Sequence, residues 1–128
     1  MCNGRSYSAI SQKFFWSVYD KIKDDFKEIY FATCVNGQPE HTKNNEYRVT
    51  RSDGRLAFLD FYIKDTNRVI EFDGDYWHGK RRGNQERDKT REERILKKYP
   101  QFKILHIKEC DYKENPNREV KKCVNFLL

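Results

Sequence analysis

The sequence predicts an α/β (α+β) fold in the order helix, three antiparallel strands, helix, strand, helix. Two changes of hydrophobic period carry that prediction. Apolar residues recur at three- and four-residue steps near the start, alternate through the middle, and return to helical spacing after Asn115-Pro116. With 128 residues the chain suffices for a single domain, 1–128, around one modest core.

From Ser8 to about Phe26, Ile10, Phe14, Val18 and Ile22, with Phe15 and Tyr19 beside them, describe an amphipathic helix. A short apolar run, Ile29 to Val35, opens a strand and then gives way to Asn36, Gly37 and Pro39, an irregular loop. Tyr47 and Val49 alternate with Arg48 and Thr50 before Ser52-Asp53-Gly54, and the β-rich run Leu56 to Ile63 follows, which predicts a hairpin. Arg68 to Asp73 is the third strand. A turn centred on Asp65-Thr66 sets Asp60 opposite Glu71; one centred on Thr66-Asn67 sets it opposite Asp73, and both put the acids on one face. Gly74 ends this strand and a loop runs to Asn84. Gln85 to Lys98 is a charged helix, Phe102 to Ile107 a strand, and Val120, Cys123, Val124 and Leu127 mark a last helix.

The chain is 37% apolar and 36% charged, a polar globular composition whose core leans on aromatics. Basic residues exceed acidic ones by 26 − 20 = 6, and residues 80–98 alone hold nine basic and four acidic side chains, which favours a polyanionic partner. No apolar run reaches the roughly 18–20 residues that span a bilayer, and the first residues lack a signal-peptide core, so a cytoplasmic protein without a membrane partner is expected. Cys2, Cys34, Cys110 and Cys123 form no CxxC pair, and buried free thiols are expected instead of a disulfide framework.

Inside that basic chain Asp60, Glu71 and Asp73 stand among Phe61, Tyr62, Ile63, Val69, Ile70 and Phe72. Carboxylates opposed across a hairpin have Cβ atoms roughly 4.5–5.5 Å apart, close enough to share one hard cation and mutually repulsive without it. Phosphodiester hydrolysis needs an activated water, charge neutralisation on the non-bridging oxygens, and protonation or metal stabilisation of the leaving oxygen. Mg²⁺, with Mn²⁺ as substitute, is the expected ion and Asp60 its first ligand; Asp73 binds a second ion or orients water. His78 offers an imidazole near neutral pH, against the plain reading of an exposed histidine. Asp88 either pairs with His78 or simply meets the dipole of its helix. Lys80, Arg81, Arg82, Arg87 and Arg91 are expected phosphate contacts. His41 and His106 receive no role.

Asp60 on one strand and Glu71-Phe72-Asp73 on the next resemble the PD-(D/E)XK nuclease superfamily, with Leu59 in place of its proline and Asp73 in place of its lysine. Val69 to Gly79, then Glu86-Arg87-Asp88, then Ile104 to Cys110 look like the very short patch repair endonucleases and the related bacteriophage homing endonucleases with an EDxHD signature. The likeness spans residues from about 56 to 112. It implies a restriction-endonuclease-like αβββαβ core, a mixed central sheet flanked by helices, with metal held by Asp60, Glu71 and the Phe72 carbonyl. In that signature Asp60 is the first Asp, Asp73 the variable position, His78 the His and Asp88 the last Asp. Its Glu falls on Gln12, which lacks the charge, so the chain is either weakened or served by a nearby acid such as Glu46. Tyr76 and Trp77 match aromatics that wedge between base pairs, with core packing as the bland alternative. Cys110 matches one ligand of the patch repair zinc site, but Asp75, Lys80 and Arg82 occupy the others, and no structural zinc is expected.

The sequence thus predicts a Mg²⁺-dependent endonuclease catalytic domain acting on double-stranded DNA. Long-site specificity would come from a further DNA-binding domain outside this chain or from a partner. A nucleic-acid-binding module of the same fold without catalysis and an RNA-processing nuclease are the rivals.

Overall fold

In the computed structural model, which describes residues 9–31, 34–35, 38–39, 46–74 and 82–128, the predicted first helix is α1 (Ala9–Ile22). Its spacing buries Phe14, Phe15, Val18 and Ile22 on one face. It stops four residues short of Phe26 because Lys23, Asp24 and Asp25 are exposed and carry no apolar face to bury. β1 (Ile29–Phe31) follows. The predicted loop after it contains a two-rung hairpin of β2 (Cys34–Val35) and β3 (Gln38–Pro39), too short to register as alternation.

β4 (Tyr47–Thr50) and β5 (Leu56–Leu59) form the predicted hairpin around Gly54, whose φ of 85° suits a residue without Cβ. The run 56–63 is not one strand. It breaks at Asp60, and β6 (Phe61–Ile63) continues in a different sheet. The burial pattern gives the reason: residues 56–59 alternate exposed and buried, as on a half-solvated sheet, whereas all three residues of β6 are buried, as in a strand covered on both faces. β7 (Arg68–Asp73) returns through residues 64–67 with Asn67 in the left-handed region at φ 57°. Asp65 accepts hydrogen bonds from the Lys27 and Glu28 amides at 3.2 and 2.9 Å and ties this turn to β1.

α2 (Arg82–Lys98), β8 (Lys103–Lys108), the unanticipated short α3 (Glu109–Glu114) and α4 (Pro116–Leu127) complete the described chain. Asn115 caps α4 by accepting from the Arg118 amide at 3.1 Å, with Pro116 in the first turn.

The main sheet has the order β1-β6-β7-β8, antiparallel up to β7 and parallel between β7 and β8. The fold is α+β with a mixed sheet. Its third antiparallel strand is β1, not residues 47–50, which belong to a separate two-stranded sheet. On one face Phe31, Phe61, Ile63, Ile70 and Ile107 pack with α1, Tyr112 and α4. On the other, Tyr62 and Val69 pack with Ile95 of α2, Phe102 and the hairpin residues Val49, Ala57 and Leu59. Among the described residues no helix is long and apolar enough to cross a membrane.

Candidate active site

Asp60 stands where two registers meet. In the β4–β5 hairpin Tyr47 pairs with Leu59, so Glu46 and Asp60 occupy the next rung outward. In the β6–β7 pair Phe61 faces Ile70, so Asp60 and Glu71 occupy the next rung there. Of the two registers that the sequence allowed, the one setting Asp60 opposite Glu71 is present. Alternation along β7 sends Ile70 and Phe72 into the α1 and α4 layer, where Phe72 lies against Phe14, Phe15 and Tyr112. It sends Val69, Glu71 and Asp73 toward α2.

Two reciprocal hydrogen bonds clasp the junction. The Phe72 amide donates to Asp60 Oδ2 at 2.9 Å, and the Asp60 amide donates to Glu71 Oε2 at 2.9 Å. From α2, Arg91 Nη1 reaches Glu71 Oε1 at 2.7 Å, and its Nη2 donates to the Phe58 carbonyl. Burial first, and the Glu71 charge next, push Asp60 well above the usual carboxylate range; Glu46 adds to the push, while the Phe72 amide and Arg91 oppose it. Burial also raises Glu71, with Arg91 opposing, and burial followed by the Glu71 charge takes Glu46 up to about 7. Arg91 is paired with Glu71, and its charge also opposes the raised values of Asp60 and Glu46. Among the described residues no group of three or more His, Cys, Asp or Glu side chains is arranged to hold a metal ion.

A second polar cluster adjoins the first and involves a residue the sequence reading passed over. In the parallel β7–β8 register His106 is the partner of Glu71. Its Nδ1 lies 3.0 Å from Asp73 Oδ2, and its Nε2 meets Glu92 Oε1 of α2. Asp73 therefore ties the variable position of the acidic strand to His106. The one signal in the sequence was a polar residue inside the apolar run Phe102 to Ile107; its partner could not be assigned without knowing that β8 lies parallel to β7.

The hydrogen bond to Asp73 chiefly, then that to Glu92, against the cost of burial, raise His106 to about 9. Its folded-state value lies above its ordinary 6.5, so the stability it confers is complete below pH 6.5 and is lost as the pH rises through about 9. His106→Gln is expected to flatten that decline. Because the side chain is 41% exposed, solvent screening reduces the effect to about 1 kcal/mol. Urea midpoints compared at about pH 6 and about pH 9.5 measure it; parallel pH curves for the two proteins would refute it.

Asp60, Glu71, Asp73, the Phe72 backbone and Arg91 are thus brought together. Arg91, read as a phosphate contact, points inward to Glu71. Gln12 is half-buried on α1, the helix across the sheet from α2, whereas Glu46 stands beside Asp60. Arg87 is exposed on α2. Asp75, Tyr76, Trp77, His78, Lys80 and Arg81 lie outside the described residues, as do His41 and the side chains of Arg82 and Asp88. Cys110 is exposed on α3 and Cys123 is buried in the core.

The chain matches no family model, no curated protein and no solved structure. Function must be read from the acid junction itself.

Proposed function

We propose that this chain is a divalent-metal-dependent DNA endonuclease of the restriction-endonuclease-like fold, resembling the patch repair and EDxHD homing endonucleases in its catalytic residues. The observation that carries the reading is the Glu46–Asp60–Glu71 junction, where two half-buried carboxylates adjoin a buried one that is paired with Arg91, inside a chain of net charge +6. The order α1, β1, β6, β7, α2, β8, with β7 and β8 parallel, supports the αβββαβ assignment.

The donor set suits a hard cation. Asp60, Glu71 and the Phe72 carbonyl offer oxygen only, and burial raises both Asp60 and Glu71, with the Glu71 and Glu46 charges adding to the rise of Asp60. A bound Mg²⁺ or Mn²⁺ would supply charge neutralisation at phosphate and a more acidic water. The chain's residues do the remaining work. Glu46 is a carboxylate beside Asp60 able to hold a proton from the attacking water, the charge that Gln12 lacks. Asp73 orients His106, which places positive charge next to Glu71. His78 and Asp88 form the second acid–base pair in this reading. Tyr76 and Trp77 contact the duplex, and Lys80, Arg81, Arg82 and Arg87 hold its phosphates.

A binding module without catalysis is the second reading, favoured by the Arg91 guanidinium already seated on Glu71 Oε1. Nicking of supercoiled plasmid in Mg²⁺ separates the two. Wild type is expected to nick and Glu71→Gln to lose at least about a hundredfold in rate. DNA binding by wild type without nicking in Mg²⁺ or Mn²⁺ would establish the module instead. Faster cleavage of structured RNA than of duplex DNA in the same buffer would move the substrate to RNA.

A further inference from the structure

We infer that the groove between α1 and α4 binds an organic phosphomonoester, a small ligand whose phosphate is held by Lys13, Lys21 and Lys121 and whose apolar body lies on Val120 and Val124. The groove belongs to the helix layer across the sheet from the acid junction, and the inference stands independently of the endonuclease reading.

Two helix faces build the groove. Lys13, Ser17, Asp20 and Lys21 fall at helical spacing on one side of α1, and Asn117, Val120, Lys121 and Val124 do so on α4. Tyr112 of α3 closes the floor between them. Its ring lies against Phe14 and Phe72 in the core, and its hydroxyl hydrogen-bonds with Ser17 at the groove. The concavity holds about 710 Å³, within the roughly 300–1,000 Å³ of small-molecule sites.

Charge selects an anion. The lining carries three ammonium groups against the one carboxylate of Asp20, 3 − 1 = +2. Among the described residues none of these four side chains makes an ion pair, whereas the nearby Lys113 and Lys122 are paired with Glu109 and Glu119 at 2.7 and 4.0 Å. Glu119, the acid in the first turn of α4, is also engaged by Arg118 at 2.8 Å and stands outside the lining. Ammonium groups around one cavity repel one another, and an anion seated among them relieves that repulsion. A phosphomonoester carries about −1.5 to −2 at neutral pH, which matches the lining. Pro116 and Asn117 bring the first turn of α4 to the same groove, and the helix dipole adds to the attraction.

Shape and floor select the rest of the ligand. Val120 is buried and Val124 half-buried, and both line the groove, so whatever extends beyond the phosphate meets apolar surface. Inorganic phosphate would leave that surface uncovered. A double helix presents a convex backbone, and a concavity of this size favours a small organic ligand over it.

Calorimetric titration at low salt with AMP, phenyl phosphate and uncharged adenosine tests the site. Both phosphates are expected to bind wild type with dissociation constants below about 1 mM, and adenosine at least about tenfold more weakly than AMP. Lys13→Gln and Lys121→Gln, at exposed positions where thermal midpoints should stay within about 2 °C of wild type, are each expected to weaken AMP about fivefold. Asp20→Asn should tighten it about threefold by removing the opposing charge. Lys97→Gln removes the same charge from α2, on the other side of the sheet, and should leave AMP affinity unchanged. Binding of neither phosphate by wild type would overturn the proposal, as would equal losses in Lys97→Gln and Lys121→Gln or equal affinity for adenosine and AMP. If a fluorescein-labelled duplex lost affinity in Lys13→Gln and Lys121→Gln while AMP did not bind, the lysines would be DNA contacts and the phosphomonoester site would fall. Plasmid nicking by Lys121→Gln at the wild-type rate is expected, so a failed groove leaves the endonuclease reading standing.

Discussion

Asp60→Asn is expected to abolish Mg²⁺-dependent cleavage and, in the same protein, to raise thermal stability in EDTA. Both effects come from one carboxylate. Asn is close to isosteric with Asp and keeps a carbonyl oxygen for the Phe72 amide, so the clasp at 2.9 Å survives. What disappears is a negative charge that burial and Glu71 make unfavourable. Because the folded-state value of Asp60 is raised, the stability it confers is complete below the ordinary carboxylate range near pH 4 and is lost as the pH rises through the folded value. Wild type and Asp60→Asn are therefore expected to melt together near pH 4 and to separate at about pH 8, with the variant higher. Each 1 kcal/mol corresponds to roughly 4 °C in a chain of this size, and a difference of about that size is expected. Cleavage should fall about a thousandfold, the equivalent of about 4 kcal/mol of lost transition-state stabilisation. Melting curves across pH, paired with a plasmid assay, read both arms. A variant less stable than wild type at pH 8 would mean that Asp60 serves the fold, and the strained-acid account of the junction would fail.

The sequence exposed the acids far better than it exposed their counter-charges. Asp60, Glu71 and Asp73 are conspicuous because carboxylates interrupt apolar strands, and a hairpin must bring two of them together whichever turn it uses. Local pattern could not choose between the two turns, since Thr66 and Asn67 suit both; the left-handed Asn67 and the Asp65 bonds to Lys27 and Glu28 settle the register through a contact with β1. Nor could it show that the run 56–63 serves two sheets. A strand solvated on one face and a strand buried on both differ in environment, and Leu56 to Ile63 is apolar enough for either. The sequence points to residues 47–50 as the third strand of the main sheet because four alternating residues give a clearer signal than the three of β1. Arg91 and Glu92 were least legible. On a helix dense with charge, a residue facing the sheet looks like its solvated neighbours until the helix is docked, so the sequence does not distinguish an inward guanidinium from a phosphate contact. His106 was hidden for the related reason that its partners belong to β7 and α2, both remote in sequence.

Arg91→Met tests whether that inward guanidinium stands in for a metal ion. Methionine keeps much of the aliphatic stem while removing the pair with Glu71 at 2.7 Å and the bond to the Phe58 carbonyl. Glu71 is 6% exposed and would keep its charge without a compensating group, a situation that costs about 3–5 kcal/mol when a buried pair is broken. Since the Arg91 side chain is 27% exposed, about 2–3 kcal/mol of destabilisation in EDTA is the expected range. The loss should grow as the pH rises, because Asp60, Glu46 and Glu71 lose the group that opposes their raised values. Mn²⁺ should then reverse it. A cation bound only by the folded state stabilises by RT ln(1 + [L]/Kd), and with Arg91 gone it no longer competes for Glu71 Oε1. Mn²⁺ is therefore expected to bind the variant about tenfold more tightly and to raise its thermal midpoint more than that of wild type. Arg91→Lys, a cation without the planar fork, should fall between the two. Calorimetric titration with Mn²⁺ and melting with and without the ion give the answer independently of any cleavage. Equal or weaker Mn²⁺ binding by Arg91→Met, with wild type binding the ion, would show that the guanidinium and the metal occupy different places. Arg91 would then be a permanent structural strut of the acid junction.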